Sequence, residues 1–523
     1  MKRFLMSLIV LFIVPFYALA QPSIIPLPQE YNKATGIFNL NNNVVLVTDD
    51  NSLLDEAWYL QKELLRHKGI PVSLQAKRQN SSIILSKEKN SKRSNGAYTI
   101  KMNPSSVEII GVDDEGVFNG IVSFVQMATA VDVKNNNLPL NCWNISDAPL
   151  YQWRGLMLDE SRHFFGKEKV KSLLDWMAFY KLNKFHWHLT DEPGWRIQIK
   201  KYPFLSLIGG IGSYTDSLAP TAYYTQEDIK EVVAYAAERK IEVIPEIDMP
   251  GHARAANRAY PQFSGGGSAK YPDFTFDPGN PATYQYLTDI LKEINALFPS
   301  QMIHLGGDEV SFGNEKWNSN PGVQSLMKQH NLKNLKDVED YFLQRMADSV
   351  LKLNSKVLAW DEMATATLPA AQSIIFWWRH DKPAQLQAAL KNNYPVVLCP
   401  RIPFYFDFVQ DSSHNVGRKW AGTIAALKDV YTFDASKFVS DNQKPLVLGV
   451  QANVWTEHMK TEQRLDYMIF PRISALAETA WSSKGKNYSD FLNRLKNHLK
   501  LFKQDGIYYF DPLQALKYSE PEL

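Results

Sequence analysis

Cysteine is nearly missing from this chain. Cys142 and Cys399 are the only two in 523 residues, too few for a disulfide framework and without the spacing of a metal site. Both read as small buried apolar residues. Net charge is nearly missing too, with 57 Lys and Arg against 55 Asp and Glu. That balance gives no electrostatic argument for nucleic acid or an anionic membrane surface as a partner. After the first twenty residues no run is both long and apolar enough to span a bilayer. Disorder is excluded by a hydrophobic content of 45%, and the length allows two or three domains, each with its own core.

What is present begins with Lys2 and Arg3, a largely apolar run from Phe4 to Phe16, and Ala18-Leu19-Ala20 ahead of Gln21. This is the pattern of a cleaved secretory signal, with a retained signal anchor as the competing reading. Cleavage would leave 55 residues of each sign and an exported protein, periplasmic or secreted, without a membrane segment. Residues 21–148 read as a small α+β accessory domain. There, short β-rich runs at Val44–Val47 and Ser82–Leu85 surround a helical pattern from Leu53 to His67. A hairpin signal at Asn103-Pro104-Ser105-Ser106 and a helical pattern from Val117 to Ala130 follow.

From 149 to 523 the pattern changes to strands alternating with helices and ends in a helical segment. Expected strands are Gly155–Leu158, Lys184–Leu189, Glu242–Ile247, Met302–Leu305, Lys356–Trp360, Ser373–Trp377, Pro395–Leu398 and Val447–Ala452. Eight is the number that closes a (β/α)8 TIM barrel. A doubly wound open sheet is the alternative, but no glycine-rich phosphate loop follows the first strand. Crossover helices are expected at Gln226–Arg239, Thr283–Leu297, Asp337–Leu353, Pro383–Asn392 and Asp466–Trp481, with a weak crossover at Ala364–Ala371.

Active sites in such barrels lie at the C-terminal strand ends, and here those ends are rich in carboxylates and indoles. Four of them carry adjacent acids: Asp159-Glu160, Asp191-Glu192, Asp308-Glu309 and Asp361-Glu362. A pyranose has an apolar face that packs on an indole and a rim of hydroxyls that wants charged partners, so the set describes a sugar pocket. In His304-Leu305-Gly306-Gly307-Asp308-Glu309 the glycines would let the backbone pass close to a bound molecule. Two neighbouring carboxyls cannot both ionise cheaply, which leaves one as a proton store for general acid catalysis. His186 and His188 should both point into the barrel, and no third ligand is evident for a metal. Spacing alone does not say which acid pair is catalytic.

Arg154-Gly155-Leu156-Met157-Leu158-Asp159 with Ser161-Arg162-His163-Phe164, Lys184-Phe185-His186-Trp187-His188-Leu189-Thr190-Asp191, Pro245-Glu246-Ile247-Asp248-Met249-Pro250-Gly251-His252 and the hexamer at 304–309 together resemble the family 20 glycoside hydrolases, the β-N-acetylhexosaminidases. The resemblance covers about Trp153 to Trp481, and the N-terminal segment resembles that family's accessory domain. It implies a retaining, exo-acting enzyme that removes terminal β-linked GlcNAc or GalNAc from glycans or chito-oligosaccharides, with the substrate's acetamido group as nucleophile and no cofactor. Glu309 would be the general acid, and Asp308 would orient the acetamido group, with Tyr405 on its oxygen. Trp360, Trp378 and Trp455 would box the acetamido methyl and sugar face, Trp377 being the alternative if the register slips by one. Arg162 and Glu457 would hold ring hydroxyls and Asp407 the 6-hydroxyl. Asp191, Asp248 and His252 would steady Glu309. A lacto-N-biosidase type of the same family and a non-catalytic glycan-binding protein are the rival expectations. Oligomeric state is left open.

Overall fold

The computed structural model describes residues 21–482 and 486–522; the expected signal segment lies outside them. Residues Glu30–Leu40 and Leu138–Asp147 pair antiparallel at one side of a seven-stranded mixed sheet, which continues through Tyr98–Asn103, Ser106–Gly111, Ser82–Lys87, Val45–Thr48 and Ser73–Leu74. The helix Asp114–Thr129 starts where Asp113 accepts from the Gly116 N–H at 2.7 Å. It is buried over nearly its whole length, as expected of a helix that is apolar all round. Its Gln126 bonds both the Ile25 backbone and the Phe179 carbonyl, tying the sheet unit to the barrel. Arg154 to Glu115 at 2.6 Å and Trp481 to Asp147 at 3.0 Å fasten the same seam.

Trp153–Asp159, Lys184–His188, Glu242–Glu246, Met302–His304, Lys356–Trp360, Ser373–Trp377, Val396–Leu398 and Val447–Val454 form a closed parallel barrel in chain order, the last strand pairing with the first. All eight expected strands are present within a few residues of their expected ends. They read as apolar runs because parallel strands wrapped by helices are buried on both faces. Between the fifth and sixth strands the crossover is only two 3₁₀ turns, Asp361–Thr365 and Ala370–Gln372, in keeping with its weak pattern.

One expected helix is corrected. Asp466–Trp481 is divided into Glu462–Ile469 and Arg472–Trp481, because Pro471 has no N–H to continue the first and disfavours helical geometry at Phe470. No described helix is long and apolar enough to cross a membrane.

Candidate active site

The period-two alternation of a strand decides which indole reaches the pocket. In Ser373–Trp377, Ile374 and Phe376 join the cluster inside the barrel, while Ile375 and Trp377 face the surrounding helices. Trp377 packs on Phe438 at 5.1 Å. Trp378 therefore turns inward and stacks parallel to Tyr405, ring centroids 6.1 Å apart. Trp455 lies 6.1 Å from Tyr405 and 5.9 Å from Trp360. Trp378, Tyr405 and Trp455 line the pocket, whereas Trp360 sits beneath them, 1% exposed.

Asp308 and Glu309 form part of the pocket edge. Gly306 and Gly307 reach this point with φ of +67° and +87°, and a Cβ on Gly306 would meet Asp248 Oδ1 at 1.8 Å. The close neighbour that demands glycine is thus a carboxylate of the next strand end rather than a bound molecule. Glu309 and His252 are themselves left-handed, both with φ of +53°, backbone strain of the kind that concentrates at functional sites.

A chain of ionised groups supports this edge. The Arg162 guanidinium lies 2.7 Å from Asp191 Oδ2, and Asp191 Oδ1 lies 3.0 Å from His252 Nδ1. His252 Nε2 faces Asp308 at 3.8 Å and Glu309 at 3.7 Å. Burial opposes charge throughout, but Arg162 and His252 hold the Asp191 carboxyl well below its usual range, and Asp191 and Asp248 hold the His252 imidazole well above its own. Asp308 is pushed up to about 7, by burial first; His252 pulls it down, and Glu309, Glu246 and Asp191 add to the rise. For Asp308, then, burial outweighs the adjacency of Glu309 as the cause of the rise. Asp248 is likewise raised well above the carboxylate range, by burial and then by Asp308.

Across the pocket, Arg418 donates from Nε to Asp407 Oδ2 at 2.5 Å and from its terminal nitrogen to Glu457 Oε1 at 2.9 Å. Asp407 is wholly buried and does not line the pocket, whereas Arg418 does. Burial pushes Asp407 up to about 6, with Arg418 pulling down and Glu457 pushing up. Trp420, 47% exposed, stands at the pocket mouth. Two larger grooves, of about 550 and 410 Å³, open on either side of Glu309 and Phe312.

His186 and His188 do point inward, but the expectation that they lack further ligands is corrected. Glu246 and His304 join His186 in a set whose ligand atoms lie within 4.8 Å of one another. Both Glu246 oxygens are engaged: Oε2 by His188 at 2.6 Å and His186 at 3.0 Å, Oε1 by Trp360 Nε1 at 2.8 Å and His304 at 3.1 Å. Glu246 is the shared carboxylate of these histidines, and its hydrogen bonds come from His188 and from the Trp360 indole, which it orients. Three further such sets, His188 with Asp191 and Asp248, Asp191 with Glu192 and His252, and Asp248 with His252 and Asp308, overlap the charge chain already described.

A sequence model described as "Glycosyl hydrolase family 20, catalytic domain" matches residues 151–484, and one for domain 2 of the same family matches residues 21–148. The chain belongs to glycosyl hydrolase family 20. This family 20 chain is 31% identical to a β-hexosaminidase of Porphyromonas gingivalis, over 94% of its own length and 64% of that relative's. It thus spans slightly less than two thirds of that protein. A Vibrio harveyi exo β-N-acetylglucosaminidase solved with N-acetylglucosamine superposes with a TM-score of 0.86 at 31% identity, covering 94% of this chain and 78% of that one. A Bacteroides fragilis β-N-acetylhexosaminidase gives 0.81 at 31% identity, with coverage of 93% and 96%.

Four residues of this family 20 site went unassigned in the sequence. Glu246 orients Trp360, and Glu362 accepts from Trp378 Nε1 at 3.1 Å; both were visible as strand-end acids, and the signal missed was an indole needing an acceptor. Arg418 and Trp420 lie on the loop after the seventh strand, where no periodicity marks them.

Proposed function

We propose that the chain is an exo-acting β-N-acetylhexosaminidase, removing terminal β-linked GlcNAc or GalNAc with retention of configuration. The observation that carries this reading is the adjacency of Asp308 and Glu309 at the rim of an indole-walled pocket that also holds Tyr405. A two-carboxylate retaining pair needs its acids on opposite sides of the sugar. Adjacent acids serve one side, so the nucleophile comes from the substrate. Glu309 gives its proton to the glycosidic oxygen while the acetamido carbonyl oxygen bonds C1, and the aglycone leaves as an alcohol. Glu309, now a carboxylate, takes a proton from water, whose oxygen attacks C1 and reopens the oxazolinium ring to the acetamide. Ionised Asp308 accepts from the acetamido N–H and offsets the ring's positive charge, and the Tyr405 hydroxyl donates to the acetamido oxygen.

Arg162 and Glu457 bind ring hydroxyls, Trp455 packs on the sugar face, and the box around the acetamido methyl is made by Trp360 and Trp378. Asp191, Asp248 and His252 tune the two catalytic acids. The test is a panel of 4-nitrophenyl β-glycosides: hydrolysis of the 2-acetamido sugars with glucoside and galactoside untouched is the expected result, and equal hydrolysis of plain glucoside overturns it. The groove that continues past Arg162 and Glu457 favours a second reading, release of a disaccharide unit; activity on an aryl lacto-N-bioside but not on the monosaccharides would select it. Export is part of the proposal, supported by the basic, apolar and small-residue order of residues 1–20. A mature N-terminus other than Gln21, or retention in the cytoplasm, would count against it.

A further inference from the structure

The pocket wall opposite the acetamido box carries a guanidinium where a carboxylate was expected. Asp407 is 0% exposed, and its Oδ1 has no hydrogen-bond partner among the described residues. Arg418 lies over it, with its side chain 23% exposed. The guanidinium is fixed on three sides: Asp407 and Glu457 each take one of its nitrogens, and the Trp420 ring lies 5.0 Å from its carbon. Its backbone is fixed too. The Arg418 N–H bonds the Asp407 carbonyl at 2.9 Å, Val409 bonds the Arg418 carbonyl at 3.2 Å, and Gly417 turns the chain at φ +118°, where a Cβ would strike Val409 at 2.8 Å.

If C1 lies by Glu309 and the acetamido group by Tyr405 and Trp378, the remaining wall, formed by Arg418, Trp420, Glu457 and Arg162 with Arg401 between Trp378 and Trp420, faces the edge of the sugar that carries the 4- and 6-hydroxyls. We infer that Arg418 is a specificity-determining residue of this pocket, donating to a hydroxyl oxygen on that edge, and that Asp407 acts through Arg418 as its buried counter-ion. This rests on the proposed glycosidase reading. Arg418 brings donors only, while Glu457 Oε2, buried and without a hydrogen-bond partner among the described residues, remains as an acceptor. The wall then reads a hydroxyl from both of its hydrogen-bonding sides.

Steady-state kinetics of R418M, D407N and the double variant, on 4-nitrophenyl N-acetyl-β-glucosaminide and its 4- and 6-deoxy analogues, test the inference. R418M should raise KM about tenfold or more, the scale of one charge-assisted hydrogen bond, while kcat changes by less than about threefold. The R418M penalty should shrink on at least one deoxy analogue. Adding D407N to R418M should raise KM no further, the non-additivity expected when one residue works through the other. R418K, which keeps the charge and loses the planar fork, should fall between wild type and R418M. An equal R418M penalty on all three substrates makes Arg418 merely structural, and full additivity with D407N gives Asp407 its own contact; either result overturns the inference. If R418M does not fold, the R418K and D407N cycle reads the same coupling. Failure of the wild type on the parent glycoside would instead strike the glycosidase reading itself.

Discussion

On one side of the pocket Asp191, Asp248, Asp308 and Glu309 converge on a single imidazole, while on the other Asp407 and Glu457 share a single guanidinium. In the first cluster His252 and Arg162 face several acids, and burial, with the neighbouring acids adding to it, raises the proton affinity of Asp308 and Asp248. In the second, burial lifts Asp407 as well, but the cation between the two acids is one that never deprotonates and fixes them in place. On the proposed reading, the difference separates chemistry from recognition. A group that must exchange protons sits beside a titratable partner, and a group that must only hold a hydroxyl sits beside a permanent charge.

The sharpest break comes from the catalytic edge. Glu309→Gln keeps the shape and removes the exchangeable proton, so kcat on glycosides with poor leaving groups should fall about 10²- to 10⁴-fold with folding intact. Near-normal turnover would take Glu309 out of the acid role. Asp308→Asn should cost about 10²- to 10³-fold in kcat on acetamido substrates; unchanged kinetics would mean that no charge on the acetamido side needs balancing.

His252→Asn is a subtler test, and asparagine tolerates the left-handed backbone at that position. The reaction needs Asp308 ionised, so kcat/KM should fall as pH drops through about 7. The His252 cation pulls that value down, so its removal should move the acidic limb to higher pH, by roughly one unit. A limb that stays put, or moves to lower pH, would separate His252 from the electrostatics of Asp308. The second cluster offers the contrast: because Arg418 does not titrate there, its replacement should act mainly on KM.

Much of the barrel was legible before folding because strands buried on both faces leave short apolar runs that no other element shares. The same logic failed for Glu30–Leu40, whose largely exposed, polar residues carry no alternation, and for its partner Leu138–Asp147. These two strands are about a hundred residues apart in the chain, and their pairing is long-range. Adjacent acids were readable at four strand ends because neighbours in the chain are contiguous, but only the family resemblance singled out Asp308 and Glu309. Arg418 was not readable, because its meaning depends on Asp407 eleven residues earlier and Glu457 thirty-nine residues later.

The order of residues sufficed to specify a barrel and a sugar-type pocket, with Trp377 and Trp378 left as alternatives, because strand periodicity and adjacent side chains are local properties of a chain. Which buried carboxyls are lifted in proton affinity, which glycine has no room for a methyl, and whether a carboxylate or a guanidinium lines the pocket all depended on packing. Burial and charge pairing are sums over neighbours that the barrel brings together from distant segments, and those sums exist only in the folded molecule.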